Sequence, residues 1–237
     1  MTRGYPDYSP GAARSKEGLF TPLLAEAPIW FKDDFSNPAP KWVATGATQT
    51  IITTRAVGAI TNPVFEGDGA MRMVQTGAGS AIARTDFGAM PIIGRVGFEV
   101  VFLIPDSTGY TDIENSFVPI EVRWQTSSLL RFAIVGYNPT DKKWYISTDG
   151  KVTWTLLGAY DINDNSWHIV KLVIDPSTNK YVTLYVDTKE FDISAYDYYT
   201  EIGAVSAYVR FRIEALPFLA HTPEYYIGRV IITYGET

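Results

Sequence analysis

Residues 166–187 read SWHIVKLVIDPSTNKYVTLYVD. Two apolar-rich runs, Trp167–Asp175 and Lys180–Asp187, flank the turn sequence Pro-Ser-Thr-Asn. Proline presets the backbone of such a turn, and Ser and Asn bond to it locally, so the stretch reads as a β-hairpin. In the second run, Val182, Leu184 and Val186 alternate with Tyr181, Thr183 and Tyr185. A period of two sends the first set toward a core and the second to the opposite, partly exposed face.

The same pattern extends in both directions. Arg95–Ile104, Phe117–Trp124, Arg131–Tyr137, Lys143–Thr148 and Val152–Leu157 read as strands. An Asp149-Gly150 pair between the last two predicts a tight hairpin turn. Further on, Ala204–Ala215 and Glu224–Tyr234 close the chain. Within the former, Val209, Phe211 and Ile213 face one way, and Arg210, Arg212 and Glu214 the other. No segment beyond residue 29 carries a helical period. The prediction is a single antiparallel all-β sandwich over 29–237, with about a dozen strands.

Composition supports this. Aromatic residues make up 14% of the 237, which favours strands over helices. There is no run of about 18 apolar residues, so no membrane span is expected. Net charge is −6 and the basic residues are scattered, which argues against nucleic acid as a partner. With no cysteine, disulfides and thiolate metal sites are excluded. Arg3 is followed by no apolar stretch, so no Sec-type signal peptide is expected.

Residues 1–28 differ in kind. They hold four prolines and several charges without periodicity. Such a terminus stays unordered unless something ties it down. It reads as an extended docking arm onto a neighbouring subunit, with Tyr5, Pro6, Tyr8, Leu19, Phe20, Leu23 and Leu24 as anchors.

Several pieces, in order, resemble the concanavalin A-like lectin/glucanase sandwich, including laminin-G-like domains. They are FKDDFS at 31–36 with Trp42, GDGAMRM at 67–73 with Ile82-Ala83-Arg84, RVGFEVVFLI at 95–104, the hairpin at 166–187, and EYYIGRVIIT at 224–233. The resemblance implies a jelly roll of two curved sheets, the concave one often binding sugar. The arm, through GYPDYSPG at 4–11, resembles virion proteins of phages, in which such arms tie one subunit to the next. It implies a capsid-decoration, tail or fibre component located in the virion, a homo-oligomer, with cell-surface or mucus glycan as a further partner.

The residues were read for chemistry beside that resemblance. Retaining glycosidases need carboxyls about 5–5.5 Å apart. Glu99 and Glu121 each lack a same-face acid two positions on, so a pair would have to come from different strands. His168 lies in an apolar strand and reads as structural; His221 has no local serine partner. No G-x-S-x-G elbow is present. The expectation is a protein that is not an enzyme.

For metal, Asp161, Asn163 and Asn165 have calcium-loop spacing but lack the glycine and the final acid, and an Asx turn is the alternative. Asp33 and Asp34 match a structural calcium position of the resembled family, although Gly228 stands where its last-strand aspartate would. Structural calcium is therefore the one cofactor considered. Residues 147–154, STDGKVTW, resemble an Asp-box with Lys151 replacing the second glycine; one copy implies a structural hairpin. Sugar platforms are sought among Trp124, Tyr137, Trp144 and Tyr145, and in the cluster Tyr196, Tyr198 and Tyr199. Core packing is the alternative for each tryptophan, and a protein interface for the tyrosines.

Overall fold

The computed structural model describes residues 29–35, 42–52, 69–75, 81–87, 94–105, 107, 117–126, 128–203, 208–215 and 224–236. The arm, with all seven of its proposed anchors, and His221 lie outside them. Among the described residues there is no helix, and none therefore that is long and apolar enough to cross a membrane.

Sixteen strands are described. They are β1 (Ile29–Asp33), β2 (Val43–Thr45), β3 (Ala47–Ile52), β4 (Ala70–Gln75), β5 (Ala81–Phe87), β6 (Arg95–Leu103), β7 (Val118–Thr126) and β8 (Leu129–Asn138). Then follow β9 (Lys143–Ser147), β10 (Thr155–Ala159), β11 (His168–Asp175), β12 (Lys180–Val186), β13 (Lys189–Asp192), β14 (Tyr199–Ile202), β15 (Tyr208–Ala215) and β16 (Glu224–Glu236). They form two antiparallel eight-stranded sheets. Sheet A runs β13-β12-β11-β6-β16-β4-β3, with β1 alongside β16; sheet B runs β10-β9-β8-β7-β15-β5-β2, with β14 on β8. The chain crosses repeatedly between the sheets, as a jelly roll does.

One apolar core lies between them. Phe98, Val100, Leu172, Leu184, Val230 and Ile232 enter it from sheet A; Ile120, Val122, Val135, Ile146, Phe211 and Ile213 enter from sheet B. Each such side chain contributes about 1.5–3 kcal/mol by leaving water. The β15 alternation is as expected, with Val209, Phe211 and Ile213 inside.

The hairpin at 166–187 departs from simple alternation at one point. Ile174 pairs with Tyr181 and Val173 with Thr183, so a bulge absorbs Val182. The slip turns Tyr181 inward, fully buried, and leaves Val182 half-buried, which corrects the expected parity at that end of β12. The Tyr181 hydroxyl accepts from the Ile134 N–H at 2.7 Å and donates to the Ser147 carbonyl at 2.9 Å. It thus ties sheet A to sheet B through the core.

A second correction concerns residues 148–154. The expected tight turn is a wider loop, and β10 begins at Thr155 rather than Val152. The outward side of sheet A is also dry. Glu99, Lys171 and Arg229 are buried there, resolved into Arg229–Glu99 at 3.2 Å and Lys171–Glu236 at 2.7 Å. Burial pushes the Glu99 carboxyl up, against the pull of Arg229 and Lys171.

Candidate functional site

The aromatic candidates separate by strand parity. Trp124 shares the inner face of β7 with Ile120 and Val122, Tyr137 that of β8 with Val135, and Trp144 that of β9 with Ile146. All three are buried, as is Tyr198, which meets Trp124 edge-on at 4.7 Å. These four are core residues, not sugar platforms, because period-two packing sends them into the sandwich. Tyr196 packs against the same core. Tyr145 and Tyr199 stand on the outer face of sheet B, opposite Gly136 and Phe132 of β8.

Gly136 and Phe132 are four residues apart along one strand, so the two tyrosines are separated by roughly 13 Å. Phe117 stacks on Trp154 at 4.2 Å and meets Tyr145 edge-on at 5.2 Å. At the other end, Tyr199 packs against Phe132 at 5.4 Å, with Arg123 over the Phe132 ring. A charged centre lies beside these two aromatic ends, on β7 and β15.

The loop after β9 folds over that centre. Asp149 accepts from the Ser147 hydroxyl at 3.0 Å, from the N–H groups of Val152 and Thr153, and from the Thr153 hydroxyl. Burial pushes the Asp149 carboxyl up, and these bonds outweigh it, holding it below its ordinary value. Lys151 stands at φ +80°, a left-handed conformation costly for a side chain-bearing residue. It is held there because its Nζ reaches Glu121 of β7 at 2.6 Å and Glu214 of β15 at 2.5 Å.

This is the two-strand carboxylate pair that single-strand spacing could not supply. The shared Lys151 ammonium holds the two Oε2 atoms within about 5 Å of each other. Both side chains are nearly sealed from water, at 0% and 5% exposure. Besides Lys151, Arg123 pairs with Glu121, and Arg212 reaches Glu214 at 2.9 Å. As folded, the pair is a buried ionic cluster with no opening for a glycosidic oxygen. Sequence reasoning could say only that a pair would have to come from different strands; Glu121 and Glu214 lie far apart in the chain, on β7 and β15, and strand pairing alone brings them together.

The metal candidates hold protein partners instead. Asp33 accepts from the Phe35 N–H at 3.0 Å and the Trp42 indole at 3.1 Å. Asp161 takes Lys142 at 2.7 Å and the Tyr137 hydroxyl at 3.3 Å. Asn163 meets His168 through its carbonyl, and the Asn165 N–H donates to Ile104 at 2.9 Å. Asp34 lies 3.7 Å from Lys32. Among the described residues no three His, Asp or Glu side chains converge as a metal site. His168 is a clamp, meeting Asp187 at 2.7 Å and the Asn163 carbonyl at 3.1 Å. The shallow cleft by Trp124, Arg131 and Pro176 holds about 160 Å³, below the few hundred of a ligand pocket.

No family model matches the chain, and no curated protein matches it. Among solved structures it is similar to a carbohydrate esterase from the Shiga toxin-encoding bacteriophage phi24B. Identity there is 13%, coverage 88% of this chain and 99% of that one, and the TM-score 0.58. An endo-1,3-beta-glucanase from Streptomyces sioyaensis gives 12% identity, 87% and 95% coverage, and a TM-score of 0.48. Lectin II from Ulex europaeus gives 11%, 87% and 99%, and 0.48. The two antiparallel sheets form the all-β jelly-roll sandwich that the sequence implies. At such identities the likeness is one of fold.

Proposed function

We propose that this protein binds carbohydrate without hydrolysing it, on the outer face of sheet B, as a structural component of a phage-like particle. The observation that carries the reading is the pairing of aromatic ends with a sealed centre. Tyr145 and Tyr199, both partly exposed, stand roughly 13 Å apart along the strand direction, the span of a short oligosaccharide. Beside them, on β7 and β15, the carboxylate pair is occupied by Lys151. The particle role draws on the arm, residues 1–28, as the attachment to neighbouring subunits of a homo-oligomer. The fold neighbour of bacteriophage origin supports it as context.

A glycan array with the full chain tests the binding reading. Binding to at least one glycan class is expected, weakened about tenfold by Tyr145→Ala or Tyr199→Ala, as truncation of an aromatic anchor costs more than about 1 kcal/mol. Silence across the array sinks the reading. The convergence of Glu121 and Glu214 on one ammonium is what favours glycoside hydrolysis as the second reading. Turnover of a bound oligosaccharide that Glu121→Gln abolishes would establish it in place of the first.

A further inference from the structure

Charge along the outer face of sheet B says what kind of sugar it takes, granted the glycan-binding reading above. β7, β15 and β5 bring Arg123, Arg210, Arg212 and Arg84 onto that face. Two of the cross-strand pairs are like-charged: Arg210 stands opposite Arg123, and Arg212 opposite Arg84. Like charges directly opposite one another destabilise a sheet. Lys151 adds a further cation from the loop above.

Among the described residues, three carboxylates answer these five cations. Asp86 holds Arg210 through two hydrogen bonds, Glu121 holds Arg123, and Glu214 holds Arg212, while Lys151 draws on both glutamates. The Nε atoms of Arg84 and Arg212 are buried and find no hydrogen-bond acceptor. The surplus is felt by neighbours: the Arg123 guanidinium is pulled down to about 10, by burial first and then by Arg212 and Arg210. A cationic stripe on a chain of net charge −6 is a local arrangement, not a general property of its surface.

We infer that this face binds an acidic saccharide, whose carboxylate or sulfate groups lie over Arg84 and Arg212. The planar guanidinium fork matches both anions, and an anion there would relieve the repulsion across β15 and β5. Mixed readout follows: the aromatic ends on β9 and β14 take ring faces, and the arginines take acid groups to one side of them, on β15 and β5, three and four strands or roughly 14–19 Å away.

The test uses an array carrying uronate, sialylated and sulfated oligosaccharides, each beside its neutralised counterpart, with a single-stranded oligonucleotide as control. Acidic members are expected to bind at least about tenfold tighter than their neutral counterparts, and to weaken as salt rises. Arg84→Gln should remove that preference and, by ending the Arg212–Arg84 repulsion, leave the melting temperature no lower; Arg84→Lys should restore part of the preference. Equal binding of neutral and acidic forms overturns the inference and leaves the glycan reading standing. No binding to any saccharide overturns both. An oligonucleotide that binds as tightly as the best saccharide, or an Arg84→Gln variant that keeps the acid preference, also overturns it.

Discussion

Lys151 shows how much a single side chain holds at this site. Its backbone is left-handed, and its ammonium neutralises two carboxylates on different strands. Lys151→Met removes that charge and leaves Glu121 and Glu214 buried against Arg123 and Arg212 alone. Breaking a buried ion pair in this way costs roughly 3–5 kcal/mol, read as a lower urea midpoint at pH 7. The ammonium is pulled down to about 8, by burial first and by Arg212 and Arg123, with Glu214 pulling the other way. Its ordinary value is 10.5. Between these two values the unfolded chain therefore binds more protons than the folded one, and the contribution of Lys151 to stability rises with pH. The midpoint difference between wild type and Lys151→Met should widen from pH 7 to pH 10. A narrowing would mean that the two glutamates outweigh burial.

At the level of elements, the loop over sheet B is seated by shape as well as charge. A Cβ added to Gly136 would stand 2.8 Å from the Trp154 ring, which lies flat on Phe117. Gly136→Ala should push Trp154 off Phe117 and cost about 1–3 kcal/mol. Denaturation and faster amide exchange at Val152 and Thr153 would report it; unchanged exchange would mean the loop is seated by Asp149 alone. The strands themselves were legible in sequence, because alternation is local. Parity even carried the sign for Trp124 and Trp144, each two residues from an apolar neighbour of the same face, Val122 and Ile146. The bulge that turns Tyr181 inward was not legible, since pairing, not composition, decides where a residue is skipped.

For the whole molecule, the arm and the body pose separate questions. The chain enters the described body at Ile29, on β1, which pairs with β16 in sheet A. Twenty-eight residues preceding it can span up to roughly 90 Å when extended, far enough to reach a neighbouring subunit. Deleting residues 2–24 should leave a folded monomer with an unchanged melting temperature that no longer joins its particle. A truncated protein that still assembles would end the docking proposal. The sequence by itself determined the all-β class and the nine longest-patterned strands, β6–β12, β15 and β16, with most of their inner faces, because side-chain alternation depends on nearest neighbours. Only the tertiary structure decided what shares the outer face of sheet B. Glu121, Lys151, Arg212 and Arg84 come from four separate segments, and strand order and register alone bring them together.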